Sequence, residues 1–320
     1  MTPLRTRPDR PIGRPADAPG ATRAGRSVYA QFGFLALVWG SSFLFIKVGL
    51  RGLSVAQVAA GRIWLGAVAL VVIALLGRRG LPRELVVYAH MLVVAMLLCV
   101  APFTLFAYGE THISSGLASI FNATTPLLTM LVASIFLPQE RPTATKLLGL
   151  AMGFGGVLLV MAPWRGVGGG SLLGELACLG ATTCYAFAFV YLRRFVLPRR
   201  LDPIAVALLQ VGLAALVFAV LAPFVAADPV SMSWPVVWSM LALGVAGTGV
   251  AFWVNVNVVM GLGATAASTV TYLTPVVGVL LGVVVLDESL SWNEPLGAVL
   301  VVAGIALGQG LLQRRRPTGG

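Results

Sequence analysis

The sequence predicts an all-α integral membrane protein of ten transmembrane helices in two inverted five-helix repeats. Three observations lead there. Of 320 residues, 58% are hydrophobic and 10% charged, with a mean hydropathy of +0.93. Soluble domains carry about 25% charged residues, so a chain of this composition is dissolved mostly in lipid. Apolar runs long enough to span a bilayer recur along the chain, separated by short charged or Gly/Pro-rich stretches. The second half also echoes the first at a nearly constant offset.

Residues 1–27 hold Arg5, Arg7, Arg10, Arg14, Arg23 and Arg26 among prolines and alanines, which predicts a disordered basic tail. No apolar core or small-residue cleavage pattern marks it as a signal peptide. The apolar runs that follow centre near Trp39, Val68, Val94, Leu128, Gly155, Thr183, Leu213, Val245, Val276 and Val302. From Pro235 to Leu286 there are 52 residues without a charge. As one helix they would extend roughly 78 Å at 1.5 Å per residue, against a hydrocarbon core of about 30 Å. They therefore form two spans, with Gly261-Leu262-Gly263 as the break. The runs are apolar on all sides, unlike the alternating strands of a membrane barrel.

Ten spans with the N-terminus inside place 18 of the 22 Lys and Arg on the cytoplasmic side. These are the tail, Arg78, Arg79, Arg83, Arg141, Lys146, Arg193, Arg194, Arg199, Arg200 and Arg314 to Arg316. This asymmetry predicts both termini in the cytoplasm, and the expected location is the cytoplasmic (inner) membrane. The expected organisation is a tail (1–27), a first repeat (28–163), a second repeat (172–313) and a C-terminal tail (314–320). The repeat rests on pairs 146 to 149 residues apart. Ala118-Ser119 matches Ala267-Ser268, Thr125-Pro126 matches Thr274-Pro275, and Glu140 matches Glu288. Gly149 matches Gly297, Gly156 matches Gly304, and Lys47 matches Arg193. Five spans per half is odd, so the halves enter the membrane in opposite senses, an arrangement of many secondary transporters.

Trp39-Gly40-Ser41-Ser42-Phe43 with Lys47, Ala59 to Arg62, Gly116 to Pro126 ending at Glu140, and Gly263 to Pro275 ending at Glu288 together resemble EamA-type transporters of the drug/metabolite transporter superfamily. The resemblance covers nearly all of the chain after residue 27. It implies a central cavity between two inverted halves and export or exchange of small metabolites. It names no solute.

Polar side chains in lipid are costly unless they face protein or water, so their pattern marks a pathway. Ser119, Asn122, Pro126 and Thr129 share one face of the fourth span, and Ser268, Thr271, Tyr272 and Pro275 repeat the stripe in the ninth. The candidate solute-binding set is Trp39, Ser42, Tyr108, Ser119, Asn122, Pro126, Tyr185, Asn255, Thr271, Tyr272 and Pro275. Lys47, Arg62, Glu110, Glu140 and Glu288 are candidates for coupling or gating, with His90 as a further titratable group. The ordinary alternatives are hydroxyls bonded to their own helix and, for Lys47 and Arg62, snorkelling to the interface. Gly149/Gly153 and Gly304/Gly308 form GxxxG pairs that predict helix packing within the chain.

No P-loop, HExxH or metal-ligand spacing is present, and the three cysteines lie in apolar runs. The reading is no enzyme, no cofactor and no metal. The partners are a small-molecule solute and membrane lipid, with no nucleic acid, in a monomer or homodimer. The function expected is alternating-access transport of a small organic metabolite. The alternatives are a flippase for lipid-linked substrates on the same scaffold, which needs a lateral opening to lipid, and a noncatalytic membrane scaffold.

Overall fold

The computed structural model describes residues 26–78, 80–137, 143–162, 169–225, 227–262 and 270–308. The expectations for most of the basic tail, Glu140, Ser268, the break at Gly263 and the tail 314–320 fall outside these residues.

The described chain is helical, with no strand. In order it forms α1 (Arg26–Gly49), α2 (Val55–Leu76), α3 (Leu85–Glu110), α4 (Ser115–Phe136), α5 (Ala144–Met161) and α6 (Gly169–Tyr191). There follow α7 (Pro203–Val220), α8 (234–262), α9 (Val270–Leu286) and α10 (Asn293–Gly308), with a one-turn helix at Ala222–Val225 after α7. The helix α1 begins at Arg26, just inside the expected tail. Among the described residues, eight helices are long and apolar enough to cross a membrane, and α9 and α10 are shorter apolar helices.

Local chemistry sets several boundaries. Ser54 starts α2 through a capping box with Gln57, which satisfies two otherwise orphaned amides. Ser114, Thr143 and Asp202 cap α4, α5 and α7 with their side-chain oxygens. Pro203 follows Asp202 at the first helical turn, where its missing N–H costs nothing. Inside α4 the helix ends at Asn122 and restarts at Thr125, next to Pro126. Proline cannot donate to the preceding turn, and the Thr125 hydroxyl donates to the Asn122 carbonyl in its place. In α9, Pro275 lies within the helix.

Neighbours are drawn mainly from opposite halves of the chain. The principal pairs are α1 with α9 and α8, α2 with α8 and α7, α3 with α6, α4 with α6 and α9, and α5 with α10. The main core is assembled from most of these helices, around Phe43, Phe106, Phe121 and Leu243. Large apolar side chains such as Leu75, Leu76, Val220 and Val284 stay exposed on the outside of the bundle, as a lipid-facing surface requires.

The α5–α10 pair shows why the glycines are there. A Cβ on Gly149 would lie 2.5 Å from the Gly304 carbonyl, and one on Gly304 would lie 2.6 Å from the Gly149 carbonyl. The backbones touch directly, so no side chain fits between them. Asn293, at the start of α10, donates to the Leu159 and Val160 carbonyls in the last turn of α5. The GxxxG pairs thus pack against each other within the chain.

Candidate functional site

Two polar constellations stand out, one deep in the bundle and one at its end. The deep one forms around Arg62 on α2. Sequence position suggested a side chain snorkelling to the interface; the structure corrects this. Arg62 is buried, with Nε donating to Thr248 Oγ1 on α8 at 3.1 Å. Its guanidinium carbon lies 3.8 Å from the centre of the Phe103 ring on α3, a cation–π contact. Tyr185 on α6 and Cys99 on α3 lie within electrostatic reach. Gln210 on α7 donates to Cys99 Sγ at 3.4 Å. Among the described residues no carboxylate pairs with Arg62.

The close approach of α2 and α8 is made by glycines. A Cβ on Gly66 would fall 2.6 Å from Thr248 Cγ2, and one on Gly244 would fall 3.0 Å from the Arg62 carbonyl. The α8 segment Ala242–Val250 is π-helical, and Thr248 Oγ1 also donates to the Leu243 carbonyl five residues back. A second π-helical segment, Met96–Val100, carries Cys99. Such widened turns cost helical hydrogen-bond geometry and recur at functional sites. Sequence reading missed Thr248, Phe103 and Gln210. The glycine-dense run Gly244 to Gly249 was the available signal for Thr248.

The second constellation lies where α1, α3 and α9 end and α4 begins. A cleft of about 400 Å³ is lined by Lys47, Leu50, Arg51, Glu110, Thr111, Leu286 and Glu288. Lys47 does not snorkel either. Its ammonium donates to the carbonyls of Glu110 and of Ile113, the latter at 2.7 Å, and so closes the C-terminal end of α3 with a cation. Glu288 accepts from Ser115 N at 2.7 Å, from Ser115 Oγ at 3.0 Å and from Gly116 N at 3.0 Å, so an anion closes the N-terminus of α4. The α3–α4 turn is therefore gripped from α1 and from the segment after α9. The Glu110 side chain is fully buried behind the cleft, and neither carboxyl oxygen has a hydrogen-bond partner among the described residues.

The remaining candidates scatter. Ser119 is fully buried against Gly278, with its hydroxyl returned to the Gly116 carbonyl. Ser42 bonds the Val38 carbonyl of its own helix. Both are packing positions here, the ordinary outcome for hydroxyls in a membrane helix. Tyr108 is exposed and packs on His112, away from the interior. Tyr185 packs against Phe106 beside Arg62. Trp39 packs on the cluster of Leu35, Ala251 and Val254, and Asn255 is half-buried on α8. Tyr272 packs on the main core, and Thr271 and Pro275 lie close by on α9. Asn122 is half-buried at the break in α4 beside Pro126, and no hydrogen bond joins its amide to another described side chain. His90 bonds the Tyr191 hydroxyl and stacks on Phe195, away from both constellations. The described residues contain no cluster of three potential metal ligands.

Comparison with known proteins places this architecture. The profile of the EamA-like transporter family matches residues 29–162 and again 172–308. The uncharacterized transporter YoaV of Bacillus subtilis (strain 168) is 27% identical over 285 residues, 88% of this chain and 96% of its own. The uncharacterized inner membrane transporter YedA of Escherichia coli (strain K12) is 25% identical over 276 residues, 85% of this chain and 87% of its own. A probable terminal-alkyne amino-acid exporter of Streptantibioticus cattleyicolor is 33% identical over 126 residues, 39% of this chain and 41% of its own. A solved crystal structure covers 90% of this chain and 99% of its own, with a TM-score of 0.62 and 22% identity, a likeness of fold.

Proposed function

The chain belongs to the EamA-like transporter family, and from that membership we propose that it is a secondary transporter that moves a small organic metabolite across the cytoplasmic membrane by alternating access. We read the fold as ten spans in two inverted halves with both termini in the cytoplasm. The observation that carries this reading is the helix pairing. Exchanging each helix of the first half for its counterpart in the second turns α1–α9 into α6–α4, α2–α8 into α7–α3, and α3–α6 into α8–α1. The pairs α2–α7, α4–α9 and α5–α10 map onto themselves. All of these pairs are present, as a twofold-related pair of halves requires. The two family matches in one chain support the same reading. Metabolite profiling of cells and medium, with and without expression, tests it: transport predicts one or more small organic compounds displaced between the two, and unchanged profiles count against it.

Topology is tested by single cysteines at Gly169 and Pro198, at opposite ends of the α6 segment, in a background lacking Cys99, Cys178 and Cys184. We expect a membrane-impermeant thiol reagent applied outside intact cells to label the first and not the second. Labelling of both would overturn the orientation.

For the pathway we propose the break in α4, because interrupted helices leave backbone groups free to meet solute. Asn122 is the side chain on which this rests. Asn122→Leu is expected to leave thermal stability near wild type and to weaken solute affinity by about 2- to 13-fold, the loss of one hydrogen bond of about 0.5–1.5 kcal/mol. Lowered stability with full affinity in the folded fraction would remove Asn122 from the pathway.

A further inference from the structure

We infer that Arg62 is a carboxylate-binding residue, and that the solute of this transporter carries a carboxylate, alone or as part of a zwitterion. The inference rests on the transport reading and specifies the solute class.

Arg62 lies seven residues into α2, about 10 Å from its start and about 21 Å from its end at 1.5 Å per residue. That is well inside a hydrocarbon core of about 30 Å. Ionisable groups at such depth are costly and mark functional sites unless a partner neutralises them. Lysine could shed its proton there; arginine cannot. Yet Arg62 is only 9% exposed and has no carboxylate partner among the described residues. Glu110, an acid within electrostatic reach, makes no ion pair with it.

The contacts Arg62 does make leave one edge of the group free. Nε is committed to Thr248, and the ring of Phe103 covers one face. No further hydrogen bond to another described residue uses Nη1 or Nη2. The Nη1–Nη2 edge presents two parallel N–H donors, and a carboxylate matches it in a bidentate pair. Thr248 and Phe103 hold the plane of the group, so little orientation is left to lose on binding. Both π-helical segments that bring Thr248 and Cys99 to this point would be unnecessary distortions if Arg62 only packed. Tyr185, Cys99 and Gln210 add neutral polar groups and no second cation. The arrangement therefore suits a monoanionic or zwitterionic head and not a polyanion.

The test uses the purified protein in detergent and, as probes, a panel of small monocarboxylates and L-amino acids beside the matched carboxamides. Thermal stability is followed against probe concentration for wild type, R62K and R62Q. We expect at least one carboxylate to raise the melting temperature in a saturable way, with no shift from its amide. R62Q should weaken that response by about 10- to 100-fold, since bonds to a charged group are lost. R62K, which keeps the charge without the fork, should fall between them, and its folding controls for structural damage. Equal responses in wild type and R62Q, equal responses to acid and amide, or no response to any carboxylate overturns the assignment. Metabolite profiling separates this from the wider reading. If expression displaces only compounds without a carboxylate, Arg62 loses its role while transport stands.

Discussion

Gly304→Ala should lower the stability of the bundle by about 1–3 kcal/mol, the usual cost of forcing a methyl group into a closed contact. Gly155→Ala, one helix away, should raise it by about 0.5–1 kcal/mol. The two substitutions add the same methyl to the same kind of helix, so helix propensity favours alanine in both. What differs is the space. A Cβ at Gly155 meets nothing within 4 Å, whereas one at Gly304 falls 2.6 Å from Gly149 O, 2.6 Å from Gly153 N and 2.9 Å from Gly153 Cα. Those atoms are backbone and cannot turn aside like the tip of a side chain. The helices must separate, and the contact along Gly149, Gly153, Gly156, Gly297 and Gly304 opens with them. Gly149→Ala attacks the same crossing from the other side, so combining it with Gly304→Ala should cost less than the sum. Thermal unfolding of the purified variants reads all three. A neutral Gly304→Ala would mean that α5 and α10 slide apart freely and that their contact adds little.

Much of this architecture was legible in the sequence because lipid imposes simple rules. Span length, charge depletion and the small-residue repeats on α5 and α10 each follow from one physical constraint and can be read locally. What was not legible is which helix faces which. Arg62 could be placed along α2 by counting, but its burial depends on Gly66 and Gly244 letting α8 come within contact distance. No period in the sequence names α8 as the neighbour. The stripe on α4 shows the same limit. Ser119, Asn122 and Thr129 do share a face by spacing, but Gly278 of α9 covers Ser119, and Thr129 returns its hydroxyl to the Thr125 carbonyl. Periodicity identifies a face; only packing decides which residues on it stay available. In the sequence Glu288 pairs with Glu140 across the repeat, whereas its contacts lie 173 and 172 residues away at Ser115 and Gly116.

Those contacts support the second large effect. Glu288→Ala should destabilise the protein by about 1.5–3 kcal/mol, the range for hydrogen bonds to a charged group. The carboxylate accepts three hydrogen bonds from the first turn of α4, where the amides have no helical partner of their own. Ser115 is fully buried, so water does not readily replace the lost acceptor. Glu288→Gln keeps one carbonyl acceptor, and the Ser115 hydroxyl can reverse to accept from the new amide, so its cost should be smaller. Lys47→Met acts on the other half of the same grip, removing the cation from the Glu110 and Ile113 carbonyls. Since both residues hold one turn, Lys47→Met and Glu288→Gln together should cost less than their sum. The same variants should open this end of the molecule. Arg51 lines the cleft beside both groups, and a cysteine introduced there (Arg51→Cys) in a background lacking the native cysteines should react faster with a soluble maleimide once Glu288 is neutralised. Unchanged melting temperature together with unchanged labelling would show that the helix end is satisfied without Glu288, and the grip would then have no part in holding this end shut.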